Sequence, residues 1–154
     1  MKGIAQFFKV SGKNFSGNID DVVLPRRATT GSAGYDFFAP ADITFNPGET
    51  LKIETGVRAK MEPGWVLLLY PRSSLGFKYR LMMENTVGVI DGDYYYSDNE
   101  GHIMAKLTNH SDKILAIKKG EAFMQGVFTP YGLTVDDDAD GIRNGGFGST
   151  NVKG

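Results

Sequence analysis

The chain has 154 residues, 41 % hydrophobic and 23 % charged, which fits one globular domain and excludes a disordered chain. Seventeen basic residues against eighteen acidic ones leave a net charge of −1, without the Lys and Arg excess that non-specific nucleic-acid binding needs. There is no cysteine and only two histidines, so disulfides, thiolate zinc sites, iron–sulfur clusters, cysteine nucleophiles and three-histidine metal sites are excluded.

From the N-terminus, Lys2, Gln6 and Lys9 interrupt the first ten residues, so no export signal is expected there. No run reaches the roughly 18 apolar residues of a membrane-spanning helix. A cytoplasmic location is expected, with neither membrane nor nucleic acid as partner. Twenty glycines, about twice the usual share, fall between short apolar runs. Asn46-Pro47-Gly48, Glu62-Pro63-Gly64 and Lys119-Gly120 read as turns. Strands are expected at 50–55, 65–70, 103–107, 113–117 and 123–128, which are short and rich in β-branched and aromatic residues. Leu51, Ile53 and Thr55 alternate with Lys52 and Glu54, as in a half-buried strand. Residues 65–70 are continuously apolar and predict a strand buried on both sides. One or two helical turns are expected at 73–79. The class is all-β, a jelly-roll-like distorted barrel or sandwich. A β domain is expected over 1–135, with 136–154 as a polar, glycine-rich mobile arm.

Five segments carry the chemistry. Ala33-Gly34-Tyr35-Asp36 offers Asp36 as a turn residue or a hard oxygen ligand for Mg²⁺. Pro71-Arg72-Ser73-Ser74-Leu75-Gly76 reads as a phosphate cradle at a helical start or as a Ser-capped turn. Gly88-Val89-Ile90-Asp91-Gly92-Asp93-Tyr94 places Asp91 after an apolar strand, as a turn former or a general base. Tyr94, Tyr95 and Tyr96 are expected in strand packing. Asp136, Asp138, Asp140 and Gly141 match half a calcium loop, but Phe147 stands where its bidentate Glu is required. Arg143-Asn144-Gly145-Gly146-Phe147-Gly148-Ser149-Thr150 combines an arginine, glycines, hydroxyls and one aromatic, the ingredients of phosphate and base contacts or of a flexible tail.

Taken in order, these pieces resemble the five motifs of the trimeric deoxyuridine triphosphatases (dUTPases), and the resemblance covers nearly the whole chain. The first is Ala33 to Ala39, the second Pro71 to Gly76 and the third Gly88 to Tyr94. Gly120-Glu121-Ala122-Phe123-Met124-Gln125-Gly126 resembles the fourth and Arg143 to Thr150 the fifth. Ala122 departs from the family's usual Arg, and one residue rather than two separates Arg143 from the glycine pair. Residues 95–101 form an insertion resembling that of Gram-positive bacteria and their phages, and it is the place to look for a protein partner.

The resemblance implies a threefold homotrimer. Motifs one, two and four would come from one subunit, three from a second and five from a third. It implies hydrolysis of dUTP to dUMP and pyrophosphate with Mg²⁺ as cofactor, which keeps uracil out of DNA and supplies dUMP for thymidylate synthesis. Asp36 would hold the metal, through its water shell. Arg72, Ser73, Ser74 and Gln125 would hold the phosphate chain, with Arg143, Gly148, Ser149 and Thr150 closing over its end. Asp91 would activate the attacking water. Asn85 and backbone groups of Gly88, Val89, Ile90, Asp91 and Met104, on two arms of a hairpin, would read uracil. Tyr94 would pack on deoxyribose and Phe147 would cover the base. The related deoxycytidine triphosphate deaminase and a non-catalytic binding module are the alternatives. The Asp91-Gly92-Asp93-Tyr94 string speaks against the first, and the intact Asp36, Arg72, Asp91 and Arg143 against the second.

Overall fold

The structure is a computed structural model and describes residues 1–146. Its strands in chain order are β1 (Ala5–Lys9), β2 (Tyr35–Phe38), β3 (Ile43–Phe45), β4 (Thr50–Glu54), β5 (Val57–Met61), β6 (Trp65–Pro71), β7 (Leu81–Met83), β8 (Gly88–Ile90), β9 (Met104–Asn109), β10 (Leu115–Ile117) and β11 (Ala122–Pro130). A single α-helix, α1 (Ser73–Tyr79), follows β6, and short 3₁₀ turns cover Gly12–Asn14, Ile19–Asp21 and Gly92–Tyr96.

All pairings are antiparallel. The sheet order β2-β11-β6-β8 forms the largest layer, β4-β9-β7 the next, and β1-β5 and β10-β3 complete the wrap. The inner faces close on one core that includes Phe37, Phe45, Leu67, Leu107 and Phe123, all essentially inaccessible. The fold is all-β, as its turn-punctuated short strands require.

Each expected strand is present, and α1 occupies the expected positions 73–79. Three expectations need correction. β6 alternates instead of being buried on both sides: Leu67 and Leu69 are fully buried, whereas Val66, Leu68 and Tyr70 on the opposite face are only half-buried within one chain. Tyr94, Tyr95 and Tyr96 lie in a 3₁₀ helix, because Tyr94 N–H bonds Asp91 C=O and turns the chain immediately after β8. The arms carrying Val89 and Met104 are not a hairpin. β8 pairs with β6, and β9 pairs with β4 and β7. β11 ends at Pro130, and residues 131–146 contain neither strand nor helix.

Candidate active site

The β6 register sorts the candidate residues into two groups. At its C-terminal end, Pro71 lies opposite Met124 of β11, and the next residue of β11, Gln125, lies opposite Asp36 of β2. Adjacent strands thereby gather Asp36, Gln125 and Arg72. Arg72 Nε stands 3.8 Å from Asp36 Oδ1, and Gln125 Nε2 donates to the Pro71 carbonyl at 3.4 Å. Gly34 borders this cluster: a Cβ on it would meet Gln125 Oε1 at 2.5 Å and push the amide aside. Pro71 leads into α1, where Arg72 is the N-cap. Neither serine caps the helix, so the Ser-capped-turn reading fails and Ser73 and Ser74 sit exposed in the first turn. Helix starts leave their first amides without intrahelical acceptors. Sequence reasoning missed Arg26, which exchanges two backbone hydrogen bonds with Asp36 and rests its guanidinium over the Phe38 ring.

The other group lies at the opposite end of β6. Leu69 pairs with Gly88 and Leu67 with Ile90, so Asp91 continues away from Arg72. Leu67 precedes Arg72 by five residues, a separation of roughly 16 Å at about 3.3 Å per strand residue. A cavity of about 280 Å³ gathers Asn85, Gly88, Val89, Ile90, Asp91, Tyr94, Met104 and Arg143, with Leu69 and Met83 among its apolar lining. β8 is the last strand of its sheet, so one row of its backbone N–H and C=O groups is left unpaired by any strand. The lip at Asn85 is a tight turn in which Val87 N–H donates to the Asn85 carbonyl at 2.7 Å across Thr86. Thr86 has φ +64°, an uncommon conformation for a β-branched residue, and its hydroxyl also donates to the Asn85 carbonyl.

Tyr94 is 6 % exposed, and its hydroxyl donates to the His102 carbonyl at 2.6 Å. Burial raises the Tyr94 pKa, opposed by a hydrogen bond from Asn99 and the charge of Arg143. Arg143 bridges two carboxylates of its own chain, with Nη2 2.7 Å from Asp91 Oδ2 and Nε 2.8 Å from Asp93 Oδ1. Asn144 C=O accepts from Asp98 N–H at 3.0 Å, and Gly146 borders the Tyr94 ring. A wider groove of about 990 Å³ opens on the other side of Asp91 and Arg143, between Lys60, Trp65, Tyr96 and Tyr131. The expected contacts of Phe147, Gly148, Ser149 and Thr150 lie outside the described residues.

Among the described residues no group of three or more His, Asp or Glu is placed to hold a metal ion, so the half calcium loop at Asp136, Asp138 and Asp140 has no support. Asp36 is a single carboxylate beside Arg72. Such a donor set suits Mg²⁺ carried on substrate phosphates, since Mg²⁺ commonly takes one or two carboxylates, phosphate oxygens and water.

The fold defines an all-β protein whose candidate site residues fall in two groups along β6. The dUTPase family model matches residues 20–151. The deoxyuridine 5'-triphosphate nucleotidohydrolase of Lactococcus lactis is 47 % identical over 131 residues, covering 82 % of this chain and 87 % of that protein. The dUTPase structure from Streptococcus mutans aligns with a TM-score of 0.71 at 39 % identity, covering 85 % of this chain and 98 % of that one. The dUTPase of Staphylococcus aureus phage phi11, at 20 % identity and TM-score 0.69, covers 91 % and 98 % and shares the fold. This chain belongs to the dUTPase family.

Proposed function

We propose that the protein is a cytoplasmic dUTP diphosphatase, hydrolysing dUTP to dUMP and pyrophosphate as a homotrimer. The observation that carries this reading is the cavity that brings Asn85, the β8 edge, Tyr94 and Met104 together with Asp91 at its mouth. The β8 edge and Asn85 supply amide and carbonyl groups to pair with uracil, while the close walls exclude a larger base. Tyr94 fills the space beside the sugar, where a 2′-hydroxyl would clash. Asp91 takes a proton from water as the water oxygen attacks the α-phosphorus in line. The new P–O bond forms as the bridge to the β-phosphate breaks, and pyrophosphate leaves.

The triphosphate carries about four negative charges, which must be neutralised before water attacks. Arg72, Gln125, Ser73 and Ser74 bind the phosphate chain in this reading, and Asp36 holds Mg²⁺ through water. Asp36 would thereby place the ion where it could supply neutralisation of phosphate charge. Arg143, Gly148, Ser149 and Thr150 belong to an arm over residues 136–154 that closes on the γ end, and Phe147 covers uracil.

A triphosphate bound at Asp91 cannot use Arg72 of the same chain if the two lie at opposite ends of β6. A second copy must then supply Arg72, Asp36 and Gln125, and the wide groove beside Asp91 leaves room for it. Two measurements test the proposal. Pyrophosphate should appear from dUTP and not from dCTP, and a chain that deaminates dCTP instead would overturn it. Mixing two inactive variants, Asp91→Asn and Arg72→Ala, should restore activity through hybrid assemblies carrying one intact site. No recovery after the mixed subunits have exchanged would show that each chain holds a whole site.

A further inference from the structure

The insertion at 95–101 folds back beneath the Tyr94 ring. Asn99 Nδ2 donates to the Tyr94 hydroxyl at 2.9 Å, and Asn99 Oδ1 accepts from Gly101 N–H at 3.1 Å. The Asn99 carbonyl accepts from His102 N–H, and the His102 carbonyl accepts from the Tyr94 hydroxyl. The hydroxyl thus spends its one proton on His102 and takes a donor from Asn99.

The insertion is itself anchored. Glu100 and Gly101 both have left-handed backbones, at φ +61° and +68°. At Gly101 a Cβ would sit 2.5 Å from the Tyr94 carbonyl, so only glycine permits this return. Glu100 accepts from Ser11 N–H at 3.0 Å, from the Ser11 hydroxyl at 2.6 Å and from Asn14 Nδ2, and it faces Arg58 at 3.7 Å. Arg58 in turn lies 3.6 Å over the Tyr95 ring and donates to the Tyr95 carbonyl.

We infer that Asn99 is a positioning residue for sugar selection: by bonding the Tyr94 hydroxyl it fixes the ring that excludes a 2′-hydroxyl. This rests on the proposed dUTPase activity and on Tyr94 as the sugar-facing group. With its one proton committed to His102 the hydroxyl cannot donate to a ribose, so selection is by volume. Volume selects only if the ring cannot tilt, and a tilt is resisted by the two bonds to its far end.

The test compares kcat/KM for dUTP and UTP in wild type, Asn99→Ala, Tyr94→Phe and the double variant. Asn99→Ala should lower the preference for dUTP about 3- to 10-fold, the effect of losing one hydrogen bond. Its kcat for dUTP should stay within about twofold, because Asn99 touches no substrate. Tyr94→Phe should lower the preference at least as far. In the double variant Asn99→Ala should add nothing, since its action runs through the hydroxyl. Equal losses toward both nucleotides, or a change in thermal midpoint with preference intact, would make Asn99 merely structural and overturn the inference. If Asn99→Ala does not fold, Tyr94→Phe alone decides: an unchanged preference overturns the inference. Wild type inert toward dUTP would overturn the activity itself, a result distinct from an active wild type whose preference survives both substitutions.

Discussion

Arg143 holds Asp91 by a 2.7 Å contact from Nη2 to Oδ2, so the fifth motif's arginine neutralises the third motif's carboxylate within one chain. The same guanidinium reaches Asp93 through Nε, a fork across two carboxylates that a lysine cannot reproduce. The Arg143 side chain is only 15 % exposed, but both carboxylates are about half exposed and screened by water, so the pairs contribute on the order of 1 kcal/mol. Arg143 can therefore leave Asp91 for a triphosphate at little cost. Arg143→Lys should lower kcat/KM for dUTP about 10- to 100-fold, the range for charge-assisted hydrogen bonds. Its unfolding free energy should change by less than about 1 kcal/mol. A large stability loss in urea titration would show that the bridge holds the fold together.

Asp91→Asn should lower kcat by ~10²–10⁴-fold with dUTP binding within a few fold. The amide keeps the shape and can hold water, but it cannot accept the proton. Stopped-flow turnover and equilibrium binding separate the two effects. A variant keeping more than a third of wild-type kcat would remove Asp91 from the role of base.

Thr86→Gly should stabilise the protein and weaken its substrate binding together. The left-handed conformation of Thr86 carries backbone strain of ~1–3 kcal/mol, which glycine relieves, less about 0.5–1 kcal/mol for greater freedom in the unfolded chain. A flexible lip no longer fixes Asn85, so KM for dUTP should rise. The thermal midpoint and KM are read on the same preparation. A lower midpoint would mean that the Thr86 hydroxyl bond outweighs the strain.

Stability should fall with acid in two windows. His102 is fully buried and accepts Gly56 N–H at Nε2. Burial holds its pKa below the ordinary 6.5, with Glu54 the strongest opposing charge. The unfolded chain therefore binds the extra proton first, and the His102 contribution is lost as pH falls from about 6.5 through the folded value. Glu100 is held down to about 2 from 4.5, chiefly by the Ser11 and Asn14 hydrogen bonds, so its contribution is lost between those values as pH falls. Urea midpoints against pH should show both declines, and Glu100→Gln should shrink the lower one, to which Glu54 and Asp42 also contribute, and leave the upper one unchanged. A single decline in the variant and wild type alike would contradict the Glu100 assignment.

Much of this was readable in the chain because it is local. Residues 73–79 follow a strand-ending proline and form α1, and alternation at Leu51, Ile53 and Thr55 places the buried face of β4 and its end. β7 and β8 are only three residues each, too short to show a period. The apolar run from Trp65 to Tyr70 predicts burial on both sides, because composition does not reveal that half of β6 faces out of the single chain. Asp91 and Tyr94 stand in the third motif, Asn85 follows only from the family resemblance, and all three meet in one cavity. Thr86, Arg26 and Asn99 were not found. Threonine gives no sign of a left-handed backbone, and the other two act through contacts, Asn99 with Tyr94 and Arg26 with Asp36 and Phe38, that follow no strand or helix period.

The tie of Glu100 to Ser11, Asn14 and Arg58 makes the insertion and the chain's first turn one unit of inheritance. A relative given residues 95–101 without those three partners would receive the length of the loop but not its shape. Drift at Ser11, eighty-nine positions away in sequence, would then alter the support beneath Tyr94 as surely as drift inside the loop itself.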